Sequence, residues 1–255
     1  MTGEDGIATL LAAIDNGYRL LDTAVGYHNE AEVGEAVRRS ALPASDIVVT
    51  TKIPGRGLGY DAALRSIEQS RHSLGTEQIG LHLIHWPIPR LDKYVDTWRA
   101  MVDARSDGEI RSIGVSNFTQ HHLARIIGAT GVTPAVHQIE LHPHFPQDEQ
   151  RRVDRNLGIC TQSWSPLGRG HELLGTPEVI GPAERLDVSP AQVVLRWHRH
   201  LGLLPIPKSS DPQRQRDNLE IAGFELTSEE VNALAALGRG GGRLWNVDRD
   251  TTGFR

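Results

Sequence analysis

Short β-rich runs alternate with amphipathic helical stretches along this chain, and that alternation leaves it few folds to choose from. R-L-L-D-T (19–23) leads into A-E-V-G-E-A-V-R-R (31–39), and D-I-V-V-T-T-K (46–52) into Y-D-A-A-L-R-S-I-E-Q-S (60–70). A switch from period two to period 3.6 marks a βαβ unit, and repeated βαβ units build a parallel sheet. The later runs are L-H-L-I-H (81–85), I-R-S-I-G-V (110–115), A-V-H-Q-I (135–139), I-C-T-Q-S (159–163) and L-L-P-I-P (203–207). That makes seven, one short of the eight that close a (β/α)8 barrel, and the eighth would precede the opening helix G-I-A-T-L-L-A-A-I-D-N-G (6–17). No break in composition suggests a linker, so residues 1–255 are read as a single barrel domain, a common size for that fold.

Composition narrows the partners. The net charge of -5 comes from acids and bases mixed along the chain, without the basic stripe that binds nucleic acid or the basic amphipathic helix that binds membranes. A small molecule is therefore the expected partner. One cysteine, Cys160, excludes an internal disulfide framework, and no apolar run reaches the ~18 residues of a membrane span. The opening M-T-G-E-D-G has neither the basic nor the apolar region of a signal peptide, so a cytoplasmic protein is expected.

Barrel enzymes build their sites at the C-terminal ends of the strands. Here those ends carry Asp22, Lys52, His85, Ser116 with Asn117, Gln138 with Glu140, Trp164, and Lys208 with Ser209. Tyr27 lies in the loop just after Asp22. A tyrosine is a poor proton donor near neutral pH unless a neighbour stabilises its anion, which a buried lysine ammonium can do. A desolvated lysine tends to lose its charge, and a nearby carboxylate keeps it protonated. Asp22, Tyr27, Lys52 and His85 thus explain one another. The bland alternative makes Asp22 a helix cap, Lys52 a surface cation and His85 a core histidine, which accounts for each singly but not for four at strand ends.

I-P-K-S-S-D-P-Q-R-Q-R-D-N (206–218) offers helix N-terminal N–H groups, two cations (Lys208, Arg214) and the Ser209 hydroxyl, together suited to a phosphate monoester. In W-S-P-L-G-R-G (164–170), Trp164 can present a flat face to a heteroaromatic ring, although a core filler is the plain reading. G-R-G-L-G (55–59) lacks the G-x-G-x-x-G spacing and is read as a flexible connection. Histidines 82, 85, 142 and 144 with Asp22 and Glu140 allow a rival reading, the metal site of a barrel hydrolase. His82 and His85 are three apart on one strand and point to opposite faces, and a metal would leave Tyr27, Lys52 and the Lys208–Arg214 segment unexplained.

Taken in order, L-D-T-A-x-x-Y-x-N-E (21–30), T-K (51–52), L-I-H-W-P (83–87), G-V-S-N-F (114–118), Q-I-E-L-H-P (138–143), S-P-L-G (165–168) and I-P-K-S (206–209) resemble the aldo-keto reductases over nearly the whole chain. The resemblance implies a barrel without a Rossmann fold, NADPH as cofactor, and reduction of aldehydes or ketones to alcohols. By motif, Tyr27 would be the general acid, Lys52 and Asp22 would tune it, and His85 would orient and polarise the carbonyl. Ser116, Asn117 and Gln138 would hold the nicotinamide carboxamide, and Trp164 would stack on the ring. Relatives mostly carry tyrosine at that position, and the tryptophan is similar to the microbial diketogluconate-reductase branch. Ser165 and Leu167 would contact the pyrophosphate, Lys208, Ser209 and Arg214 the 2′-phosphate, and Asn218 the adenine. Trp86, with Trp245 in the tail, would line the substrate pocket.

The chain departs from the family pattern at two places. His137 stands where many members have asparagine. The family also opens with a hairpin and a first strand, whereas here the sequence starts at the first helix, so the hairpin and first strand are expected to be missing. That would leave neighbouring strands with open edges, and a monomer with weak self-association is expected. A second functional class stays open: a nucleotide-binding protein without meaningful turnover, like the channel β-subunits of the same family.

Overall fold

The computed structural model describes residues 2–169, 171–240 and 242–244. The chain divides into two compact units, one built mainly of Met1–His137 and the other mainly of Gln138–Asn156 and Cys160–Val247.

In the first unit, α1 (Gly3–Asp15), β1 (Leu20–Asp22), α2 (Glu30–Arg39), β2 (Val48–Ile53), α3 (Tyr60–Leu74), β3 (Ile79–Ile84), α4 (Tyr94–Ser106), β4 (Ile110–Ser116) and α5 (Gln120–Thr130) alternate as the sequence period implies. The sheet runs in chain order, with β1, β2, β3 and β4 paired in parallel. β5 (Val136–Glu140) follows. The strands read as nearly continuous apolar runs because both faces are covered: Ile79, Leu81, Leu83 and Ile84 of β3 are all buried. Trp98, Met101 and Tyr94 of α4 are fully buried, and each such side chain contributes ~1.5–3 kcal/mol of apolar transfer energy. Helix ends follow local chemistry. Thr119 caps α5 in a reciprocal box with His122, and α3 stops at Gly75, whose φ of +65° only glycine adopts cheaply.

The second unit comprises α6 (Asp148–Asn156), β6 (Cys160–Trp164), α7 (His171–Leu174), α8 (Pro177–Leu186), α9 (Pro190–His200), β7 (Leu204–Pro205), α10 (Pro212–Leu219) and α11 (Ser228–Ala236). Its core gathers Ile139, Leu141, Val179, Val193, Val194, Trp197 and Leu234, all at most 1 % exposed. α9 opens on Ser189 with Pro190 in the first turn and Gln192 completing the capping box. β7 is shorter than the 203–207 run suggested. Pro205 and Pro207 have no N–H to give, so beyond Pro205 the pairing shrinks to Ile206 N–H on the Ser163 carbonyl at 3.1 Å.

One expectation changes in detail. G-R-G-L-G is held rather than loose: Leu58 is buried and the Gly59 N–H donates to Thr97 Oγ1 at 2.7 Å. His82 is fully buried on β3, and neither ring nitrogen has a hydrogen-bond partner among the described residues. Among those residues no helix is long and apolar enough to cross a membrane.

Burial pushes the His82 imidazole down to about 3, so it is neutral in the folded protein at pH 7. The unfolded chain, with an ordinary imidazole near 6.5, binds the extra proton between these values. Stability from this residue is therefore full above about pH 6.5 and falls toward pH 3, by ~1.4 kcal/mol per pH unit within the window. His82→Leu, which removes two unsatisfied nitrogens, is expected to flatten the acid limb by that slope in urea titrations at pH 7.5, 6 and 5. An unchanged slope would show that His82 does not stay neutral in the folded state.

Candidate active site

The first unit brings the sequence-derived quartet together. β1 ends in Asp22, and β2 runs alongside with Lys52 near its end, in register Asp22 to Thr50 and Leu83 to Lys52. Lys52 Nζ donates to Asp22 Oδ2 at 2.6 Å and to the Thr23 carbonyl at 2.8 Å, with its side chain wholly buried. A single 3-10 turn, Val25–Tyr27, then carries the chain outward, closed by the Tyr27 N–H on the Ala24 carbonyl at 2.9 Å and by His28 at φ 54°. This turn sets the Tyr27 ring 5.1 Å from Lys52 Nζ and edge-on to the His85 ring, centroids 5.9 Å apart. Tyr27 is 48 % exposed while Lys52 is 0 % exposed, so the phenol faces solvent over a buried cation. The plain readings fail here: Asp22 caps no helix, and Lys52 does not reach the surface.

His85 follows β3 directly. Burial, and then the nearby Lys52 ammonium, push its imidazole down to about 3. It is a neutral ring at pH 7, able to donate or accept one hydrogen bond per nitrogen according to tautomer. Its carbonyl accepts from Asn117 Nδ2 at 3.1 Å, and the same amide meets Ser116 Oγ at 3.0 Å. Asn117 holds φ at 62°, a left-handed conformation that asparagine tolerates better than most residues. The buried His137 Nε2 accepts the Phe118 N–H at 3.1 Å, which places its ring proton on Nδ1. The departure at position 137 thus supplies a brace for the β4–α5 loop.

Supporting residues emerge that strand-end reasoning did not single out. The Thr23 hydroxyl donates to Asn29 Oδ1 at 2.6 Å, and the Thr51 hydroxyl to the buried Glu30 Oε1 at 2.7 Å. The N-E of L-D-T-A-V-G-Y-H-N-E therefore ties the start of α2 to the threonines beside Asp22 and Lys52. The pairings D-T, T-K and N-E were the only signal for this in the sequence.

In the second unit, Gln138 Nε2 donates to Gln162 Oε1 at 3.1 Å with both side chains buried. Trp164 is half-buried at the end of β6, its carbonyl taking the Leu141 N–H at 3.3 Å. The loop after it is tightly wound: Ser165, Gly168 and Arg169 have φ of 49°, 61° and 50°, and Gly168 N–H closes onto the Ser165 carbonyl at 2.9 Å. Leu167 packs on the apolar cluster of this unit. Lys208 and Arg214 are exposed and make no ion pair among the described residues, Ser209 is half-buried, and Asn218 is buried on α10.

One detail of the proposed phosphate site differs from expectation. The first backbone donors of α10 are already used, because Asp211 Oδ1 accepts the N–H groups of Gln213 and Arg214 at 2.8 and 3.1 Å. Those bonds hold the Asp211 carboxyl below the usual carboxylate range. The Ser209 hydroxyl is likewise engaged, donating to the Asp211 carbonyl at 3.2 Å and accepting its N–H at 3.1 Å, which leaves the exposed Lys208 and Arg214 side chains as the charged groups of this segment. Glu140, grouped by the metal reading, instead meets His142 Nε2 at 3.2 Å, and no group of three His, Cys, Asp or Glu among the described residues could hold a metal ion. Trp86 is buried beside His85 in sequence, and Trp245 lies outside the described residues.

This geometry, a buried Lys–Asp pair under an exposed tyrosine with a neutral histidine at its edge, occurs in a chain that matches the Aldo/keto reductase family model over residues 1–174 and 179–239. The protein belongs to the aldo/keto reductase family. It is 53 % identical over 251 residues to 2,5-diketo-D-gluconic acid reductase B of a Corynebacterium species, covering 98 % of this chain and 90 % of that one. Among solved structures it superposes on a Gox0644 variant in complex with NADPH at TM-score 0.93, with 41 % identity, covering 98 % of this chain and 90 % of that one. A Bombyx mori aldo-keto reductase in complex with NADP matches at TM-score 0.87 and 33 % identity, covering 95 % and 86 %. The parallel strands and intervening helices fit the (β/α)8 barrel, and the chain is an oxidoreductase by family.

The buried ion pair makes a direct prediction. Asp22→Asn removes the counter-charge of the buried Lys52 ammonium and leaves it only neutral acceptors, a kind of loss worth ~3 kcal/mol or more. Urea unfolding at pH 7 should show a drop of that size, and a drop under about 1 kcal/mol would mean the pair contributes little to folding.

Proposed function

We propose that this protein reduces the carbonyl group of a small aldehyde or ketone to an alcohol with NADPH, Tyr27 donating the proton. The observation that carries the reading is the contact set around Tyr27: the Lys52 ammonium 5.1 Å from its ring, Asp22 2.6 Å behind that, and the His85 ring at its edge. The bound nicotinamide supplies the hydride. Tyr27, half in solvent, gives its hydroxyl proton to the carbonyl oxygen as negative charge develops there. The Lys52 ammonium then faces the phenolate left behind, and Asp22 and the Thr23 carbonyl fix that ammonium in one place. His85, neutral at working pH, orients the same oxygen by a hydrogen bond without bringing a second cation beside Lys52. Donors held in advance where charge will develop are worth most in a site that excludes water, and Trp86 would help close it.

The residues fit the nucleotide. Ser116, Asn117 and Gln138 offer buried polar groups for the carboxamide, and Trp164 a half-exposed indole for the ring. Ser165 and Leu167 lie in the wound loop that would follow the pyrophosphate. Lys208 and Arg214 are exposed cations free of ion pairs among the described residues, so they, with Ser209, suit a 2′-phosphate, and Asn218 the adenine. The name of the Corynebacterium relative directs the choice of substrate toward small, hydroxylated keto acids.

Tyr27→Phe should cut turnover of such a keto acid, or of a generic aldehyde, by about 10²–10⁴-fold while NADPH binding stays within about twofold. Turnover within tenfold of the parent would remove Tyr27 from the role. NADPH binding without turnover in the parent protein would point to a nucleotide-binding function instead. Arg214→Ala should weaken NADPH by about 1.5–3 kcal/mol and leave NADH nearly unchanged, as measured by quenching of tryptophan fluorescence. Equal losses for the two nucleotides would remove the 2′-phosphate assignment.

A further inference from the structure

The second unit holds a buried histidine that the proposed mechanism does not use. His198 is the third residue from the C-terminal end of α9, fully buried, with its Nε2 3.1 Å from the carbonyl oxygen of Pro166. Pro166 lies in the wound loop after β6. A carbonyl oxygen can only accept, so the ring proton sits on Nε2 and donates to Pro166. Nδ1 then carries no proton and has no partner among the described residues. Burial drives the ring down to about 3, the Pro166 carbonyl opposing this, and the nearby His142 and Arg151 adding to it. His198 is consequently a neutral donor fixed in one tautomer, and Trp197 beside it packs edge-on at 5.0 Å to hold the ring plane.

The loop that this donor grips is one that needs a restraint. Ser165 and Arg169 both sit at positive φ without being glycine, a conformation that persists only where the surroundings over-determine it. Inside the loop the Gly168 N–H to Ser165 carbonyl bond supplies one closure. The His198 bond to Pro166 supplies a second, from the helix packed beneath. With the Pro166 carbonyl drawn inward, the peptide groups on either side of it are fixed in direction as well.

We propose that His198 is a positioning residue for dinucleotide binding: its hydrogen bond to the Pro166 carbonyl orders the Ser165–Leu167 segment for the diphosphate bridge of the cofactor. This rests on the reading of that segment as the pyrophosphate contact. His198 itself touches no part of the nucleotide in this account, and the adenosine and 2′-phosphate contacts at Lys208, Ser209, Arg214 and Asn218 do not depend on it.

The test separates these regions with two ligands. NADPH carries the diphosphate bridge, whereas adenosine 2′-monophosphate presents the adenosine and 2′-phosphate without any part of it. His198→Leu removes the donor, and His198→Gln keeps a side-chain N–H. His198→Leu is expected to weaken NADPH about tenfold, the size of one net hydrogen bond, with the monophosphate fragment changed less than twofold and kcat at saturating NADPH little altered. His198→Gln should recover most of the NADPH affinity. Urea unfolding checks that the variants fold, and His198→Phe, which fills the same space with a ring that has no N–H donor, replaces the Leu variant in the test if that variant does not fold. Equal weakening of both ligands, or no weakening of NADPH in a folded Leu variant, would overturn the proposal. A parent protein that binds NADPH no more tightly than the fragment would instead overturn the pyrophosphate reading on which it rests.

Discussion

The contact on which the site depends is the Lys52–Asp22 pair. A lysine side chain with no solvent exposure on a strand buried on both faces is costly unless its charge is met, and Asp22 at 2.6 Å with the Thr23 carbonyl at 2.8 Å meets it. Both partners come from backbone that the sheet already fixes, since β1 and β2 are hydrogen-bonded in parallel with Asp22 level with Thr50, two residues before Lys52. The cation is thereby immobile. Tyr27 needs only one 3-10 turn beyond β1 to reach it, and the short stretch from Asp22 to Tyr27 leaves the chain little other room.

Around that pair, several buried polar side chains are tied by specific hydrogen bonds. Thr23 and Thr51 flank the ion pair and tie to Asn29 and Glu30 at the entrance of α2. Asn117 spends its amide on the His85 carbonyl, bracing the residue next to the reacting position rather than only awaiting a ligand. His137 and His198 do the same for the loops after β4 and β6, each through one ring nitrogen on one backbone group. None of these side chains could be valued from its type alone. Their worth lies in holding the loops at the strand ends to fixed directions, where a catalytic geometry tolerates little slack.

Much of this was legible in the sequence because the information was local or periodic. The alternation of periods located seven strands and the helices between them, and strand-end position singled out Asp22, Lys52 and His85 before any coordinate was known. Two points escaped. The Asp211 cap was hidden inside I-P-K-S-S-D-P, where the same residues read equally well as an open helix end, and only the bonds to Gln213 and Arg214 N–H show which applies. His198 is one of two histidines in R-W-H-R-H (196–200), and nothing in its neighbours along the chain names Pro166, 32 residues away.

The sequence by itself therefore determined the class of fold and the family and singled out candidate site residues, since periodicity, turn chemistry and ordered motifs are properties of neighbours along the chain. Tertiary structure decided which of those groups touch, which are charged and which are merely held. His85 is neutral because burial and Lys52 act on it together, and the indifference of His82 to any partner is likewise a matter of what packs around it. Such facts depend on distance through space and on the exclusion of water, and neither is written in the order of the residues.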